Sequence, residues 1–87
     1  MKLWLKYFAS LREALGPGGP LEWSPPADVA PTAGALRAWL RARSDAHAHA
    51  LAPGRAVRVA VDQALADDAT ALRDGAEVAF FPTVTGG

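Results

Sequence analysis

The last two residues, Gly86 and Gly87, and the absence of any cysteine concentrate the chemistry available to these 87 residues at one carboxylate. Glycines lack a Cβ, so such a terminus can enter a narrow cleft with its carbonyl unhindered. Held beside ATP on another enzyme, the Gly87 carboxylate can attack the α-phosphate, release pyrophosphate and become an acyl adenylate. A sulfur nucleophile can then displace AMP and leave a thiocarboxylate. A chain with no thiol that carries sulfur has to hold it at that end. The run Pro82-Thr83-Val84-Thr85-Gly86-Gly87 follows an apolar segment and, extended, reaches roughly 20 Å. Glycines are also common in frayed termini, so the tail takes its meaning from the elements before it.

Other constellations are weaker. His47 and His49 stand two apart, about 200° around a helix, and Ala-His-Ala-His-Ala reads as helix, so no metal site is expected. Asp67-Asp68 reads as solvated turn chemistry, and the Gly16–Gly19 loop lacks the Lys-Ser/Thr of a phosphate loop. No nucleophile–base pair stands out, so the chain is not expected to be an enzyme by itself. Nine basic and nine acidic residues balance, which argues against a nucleic-acid partner. The cluster Arg37, Arg41 and Arg43 reads as a solvated helix face. Lys6 interrupts the apolar run that a signal peptide needs, and no stretch is long enough for a membrane span. A cytoplasmic location is expected, and the missing disulfides agree with it.

The elements that must position the tail read as α+β. Leu3, Leu5 and Tyr7 alternate with Lys2, Trp4, Lys6 and Phe8, a strand with one buried face. Ser10 is expected to cap a short helical turn, with Glu13 at the capping-box position and Gly16 as terminator. Residues 16–20 read as a break, Leu21-Glu22-Trp23 as a second strand, and Ser24-Pro25-Pro26 as its stop. Thr32 is a candidate N-cap for the main helix, whose stripe Leu36, Trp39 and Leu40 lies opposite Arg37 and Arg41. Residues 46–52 add a second short helical piece before Pro53-Gly54. Val57, Val59 and Val61 mark a third strand, Asp62-Gln63 a turn, and Leu65 a short fourth strand. After the Asp74-Gly75 turn, Val78 and Phe80 face one way and Ala79 and Phe81 the other, and Pro82 is expected to end the ladder. The layout is a mixed sheet of four to five strands packed on one main helix, a ubiquitin-like β-grasp over residues 1–81, with a flexible tail over residues 82–87.

The stretch from Asp74 through Phe80-Phe81-Pro82-Thr83-Val84-Thr85-Gly86-Gly87 resembles the C-terminus of molybdopterin synthase small subunits, which end in Phe-Pro-Pro-Val-Thr-Gly-Gly. The similarity extends to Tyr7-Phe8-Ala9, Leu11-Arg12-Glu13, residues 32–44 and Val61-Asp62-Gln63. Thr83 departs from the family, which has a second proline there. The resemblance implies a sulfur carrier of molybdenum-cofactor biosynthesis that binds no cofactor itself. An E1-like partner would spend ATP to adenylate Gly87, and the thiocarboxylate would donate sulfur in a large catalytic subunit. Gly86 would give steric access, and Pro82, Val84 and Thr85 would lie in the partner. Phe8 and Phe81 share the face opposite the core on neighbouring strands, with Leu65 nearby, and the resemblance puts the docking surface there. Thiamin or tRNA thiolation, and a ubiquitin-like modifier joined to lysines, remain as alternative uses of the same terminus.

Overall fold

The computed structural model describes residues 1–83. Its elements run β1 (Lys2–Tyr7), α1 (Ala9–Leu15), β2 (Gly18–Glu22), α2 (Ala33–Arg41), α3 (Asp45–Ala50), β3 (Val57–Val61), β4 (Ala64–Ala66) and β5 (Glu77–Pro82). The strands form one five-stranded sheet in the order β2-β1-β5-β3-β4, in which β1 and β5 are parallel and every other pair is antiparallel. The helices cover one face of this mixed sheet, which is the β-grasp arrangement. That layer is broader than one main helix, because α3 packs against α2 and α1 packs against α3.

Strand alternation sets the layers. Leu3, Leu5 and Tyr7 are buried, while Lys2, Trp4 and Lys6 are exposed. Val59, Val78 and Phe80 join them inside, opposite Leu36 and Leu40 of α2, and the Tyr7 and Phe80 rings stack at 6.1 Å. Trp39 departs from the expected stripe. It is 39% exposed, and Ala33 takes the third buried position with Leu36 and Leu40. On the helical wheel Trp39 lies about 60° beyond Leu36, where no strand reaches it, and it packs instead against Arg43.

The first turn of α2 is completely satisfied. Thr32 Oγ1 accepts from Ala35 N–H at 3.1 Å, and the Thr32 carbonyl accepts from Leu36 N–H. The Thr70 and Asp68 carbonyls accept from Ala33 and Gly34. With Thr32 N–H bonded to the Ala30 carbonyl, the four donors a helix start leaves open, those of Thr32 to Ala35, all have partners, and Leu36 N–H makes the first bond inside the helix. At the other end of the pair, Arg37 donates Nε to the Leu51 carbonyl and a terminal nitrogen to that of Ala52, which closes the C-terminus of α3.

Three local expectations change. Ser10 is not the N-cap of α1: Phe8, two residues earlier, takes that position with no side-chain cap. Phe8 N–H is already bonded to Phe80 O, so the chain turns directly out of β1, with Ala9 at φ +52°. Gly16 does end α1, its N–H bonding Arg12 O. The break over residues 16–20 is half strand, since β2 begins at Gly18 and pairs with β1 from Lys6↔Gly18 to Lys2↔Glu22. Gly18 is required there, because a Cβ would collide with the Leu5 carbonyl. Pro20 is tolerated because its missing N–H would point to the open edge.

The third change is at Pro82, which does not end the ladder. Asp62 and Thr83 N–H donate to the Glu77 and Ala56 carbonyls, so odd-numbered β5 residues exchange hydrogen bonds with β3. The even-numbered ones face β1, where Trp4 and Phe8 donate to Ala76 and Phe80. Pro82 pairs with Val57 at a position whose N–H would point past the end of β1, so no ladder bond is lost.

Candidate functional site

The uncovered face of the sheet is built by the outward residues of four strands. Across one row the register aligns Lys6, Ala79, Ala60 and Leu65. In the next row, toward the end of β5, Phe81 pairs with Arg58, and continuing the β1–β5 register places Phe8 beside Phe81. Phe8 is 45% exposed and Leu65 61%, while Phe81 is part-buried between its neighbours. The expected trio therefore does share one face, around a floor of Ala60 and Ala79 that raises no side chain between Leu65 and the two phenylalanines. Leu65 and the two phenylalanines thus make this the apolar part of the uncovered face. Its border is polar: Lys6 pairs with Glu77 at 2.8 Å, and Lys2 lies over the Trp4 ring at 4.9 Å.

The chain leaves the sheet at the corner of this patch. The Ala56 carbonyl accepts from Thr83 N–H at 2.9 Å and from Thr83 Oγ1 at 3.3 Å. The root of the tail is thus held by a threonine that donates twice, where the resembled family has proline, which could donate neither bond. Pro82, expected to contact the partner, lies on the inner side of β5 with Phe80 and lines a concavity with Leu11 and Ala50. Val84, Thr85, Gly86 and Gly87 lie outside the described residues.

Arg58, Ala60 and Ala79 share that face with the expected trio, and the sequence reading did not single them out. Their only signal is the alternation that buries Val59 and Phe80, because an arginine and two alanines carry no chemistry of their own. The remaining candidates are occupied locally. His47 Nδ1 lies 2.7 Å from Ser44 Oγ, and burial together with the nearby Arg43 cation holds this histidine below its ordinary value. Asp67 accepts from Ala69 N–H and Thr70 Oγ1 in its own turn. A concavity of about 600 Å³ is an open trough between the 53–56 loop and β4 that ends at Thr83. Among the described residues no three His, Asp or Glu side chains converge, and no helix is long and apolar enough to cross a membrane.

A mixed five-stranded sheet grasping helices, with its last strand leading out beside an apolar patch, defines a ubiquitin-like β-grasp protein. The chain belongs to the ThiS family, whose model matches residues 5–87 and so includes both terminal glycines. It is 43% identical over 81 residues to the "Molybdopterin synthase sulfur carrier subunit" of Escherichia coli (strain K12), covering 93% of this chain and 94% of that protein. Among solved structures it resembles the Haloferax volcanii HVO 2177 protein, with a TM-score of 0.74 and 32% identity over 100% of this chain and 87% of the other. The complex of subunits 1 and 2 of the molybdopterin-converting factor from Helicobacter pylori 26695 contains a chain of the same fold, at a TM-score of 0.65, 22% identity and full coverage of both.

Proposed function

We propose that this chain is the sulfur carrier subunit of a molybdopterin synthase and that Gly87 is its working residue. The observation that carries the reading is a family match that runs through Gly87, together with 43% identity to a sulfur carrier over nearly the whole chain. An E1-like partner binds ATP, and the Gly87 carboxylate attacks its α-phosphate with loss of pyrophosphate. A hydrosulfide-level nucleophile then attacks the acyl carbon, AMP leaves, and the thiocarboxylate remains. The chain contributes no catalytic side chain to these steps, so both activation and sulfur transfer are performed by partners. Gly86 keeps the partner's cleft clear of a side chain, and Val84 and Thr85 line the same passage.

The large catalytic subunit receives the tail while its surface covers Phe8, Leu65 and Phe81. Binding that patch beside Thr83 aims the terminus without ordering the whole carrier, since the sheet beneath it is already rigid. The work takes place in the cytoplasm, where ATP and the activating partner are available.

Intact-mass spectrometry of the protein from its own host tests the reading. The expected species has one terminal oxygen replaced by sulfur, and it disappears when the chain lacks Gly87. A terminus that stays unmodified, or a branched adduct on lysine in its place, would overturn the assignment.

A further inference from the structure

Among the described residues, Thr83 makes the last bonds between the body and the chain's end. The β3–β5 ladder carries on past Pro82 by one more bond, in which Thr83 N–H donates to the Ala56 carbonyl at 2.9 Å. Thr83 Oγ1 donates to the same oxygen at 3.3 Å. A carbonyl has two lone pairs, so both bonds can be made at once. With the hydroxyl held, χ1 of this β-branched residue is held together with its backbone.

The acceptor is itself anchored. Val57 N–H bonds the Arg55 carbonyl and Arg55 N–H bonds that of Ala52, each at 2.9 Å. The Ala52 carbonyl also accepts from Arg37 of α2 at 2.6 Å. The Ala56 oxygen is thus tied through the 52–57 loop to the helical layer. Thr83 is part-buried, and its hydroxyl bond is an exposed one. Water offers an exposed hydroxyl an equivalent partner, so this bond adds little to the stability of the fold. What it restrains is the point where the chain departs from the sheet.

We infer that Thr83 is a positioning residue for the terminal chemistry, because its two bonds to Ala56 fix where the last four residues leave the sheet and in what direction. This rests on the reading of Gly87 as the working residue. Only Val84, Thr85, Gly86 and Gly87 follow Thr83, and four extended residues span at most about 14 Å. The reacting centre of a partner has to lie within that distance of Thr83. With the root released, one more residue must be ordered each time the carrier docks, and that entropy is lost from binding.

Thr83→Val keeps the shape, the β-branch and the N–H, and removes only the hydroxyl. In the full chain, amide hydrogen exchange at residue 83, corrected for its intrinsic rate, is expected to speed up about three-fold in this variant. In sulfur transfer from the thiocarboxylate form, the half-saturating concentration of large subunit should also rise about three-fold. The saturating rate should change by less than about two-fold, and the melting temperature should match the parent. Thr83→Ser, which keeps the hydroxyl, should behave like the parent in all of these. The inference is overturned if Thr83→Val exchanges and transfers like the parent, or if Thr83→Ser is as impaired as Thr83→Val. A melting temperature that falls in step with transfer would also overturn it, by making Thr83 a structural residue. Intact mass separates this from the broader reading. A parent chain that never acquires a terminal sulfur overturns the carrier reading itself, and the role of Thr83 with it. A thiocarboxylate parent that Thr83→Val matches in every measurement overturns only the role of Thr83.

Discussion

A single branched side chain at Gly86 separates chemistry from folding. Gly86→Val would restrict φ and ψ and fill space that a partner's cleft must close around. The expected outcome is a loss of sulfur transfer of about ten-fold or more with an unchanged melting temperature, read from single-turnover transfer and thermal melts. An equal fall in both would make Gly86 a structural residue. Phe80 and Phe81 form a second pair of contrasting neighbours. Phe80 is buried against Tyr7, so Phe80→Ala should cost about 3–5 kcal/mol of stability in urea titrations. Phe81 lies on the outer face opposite Arg58 and is only part-buried. Phe81→Ala should therefore lose less stability but weaken binding to the large subunit by about 1–4 kcal/mol, measured by calorimetry. If the two variants exchanged their effects, the docking patch would have to move to the other face.

Two elements carry conformational demands that substitutions can probe. The β3–β4 hairpin turns on Asp62 and Gln63 at φ +50° and +67°, a two-residue loop with both residues left-handed. Asp-Gly is the preferred pair for such a turn, and a non-glycine residue held there costs about 1 kcal/mol. Gln63→Gly is accordingly expected to raise stability by about 0.5–1 kcal/mol in urea titrations and to leave partner binding unchanged. The start of α2 makes the opposite demand. A Cβ at Gly34 would lie 2.9 Å from the Asp68 Cβ and 3.0 Å from its carbonyl oxygen, which itself accepts the Gly34 N–H. Gly34→Val should cost about 1–3 kcal/mol by forcing the 68–70 loop off the helix start. An unchanged urea midpoint would show that the loop yields freely.

At the scale of the whole molecule, His47 couples stability to pH. Burial and Arg43 hold it below its ordinary value of 6.5, so as pH falls the unfolded chain takes up this proton before the folded one does. Its contribution is fully present above pH 6.5 and is lost as pH falls from there through the lowered value. Urea titrations in steps from about pH 7.5 to about pH 5 should show that decline, and His47→Gln should flatten it. An identical slope in the variant would assign the decline to other groups.

Much of this fold is legible without coordinates, because periodicity and capping are local properties. Alternation in residues 2–8 and 57–61 separates the inward Leu3, Leu5, Tyr7 and Val59 from the outward Trp4, Phe8 and Arg58. Thr32 caps α2 as its type and position imply, and Asp74-Gly75 turns into β5 with Gly75 at φ +86°. The terminal glycines, with no thiol elsewhere, point to the terminus by residue type, and take their meaning from the β-grasp elements before them. What local patterns cannot convey is register, because pairing joins residues far apart in the chain through contacts that no short window contains. Register brings Phe8, Phe81 and Leu65 onto one surface, lets β2 begin at Gly18, and turns the imide nitrogen of Pro82 where no bond is needed. It also sets Gly19 opposite Leu5, where no side chain closes the inner layer. Trp39 stands outside the core for a related reason: how wide a buried helix stripe extends depends on which strands cover it, and only the assembled sheet decides that.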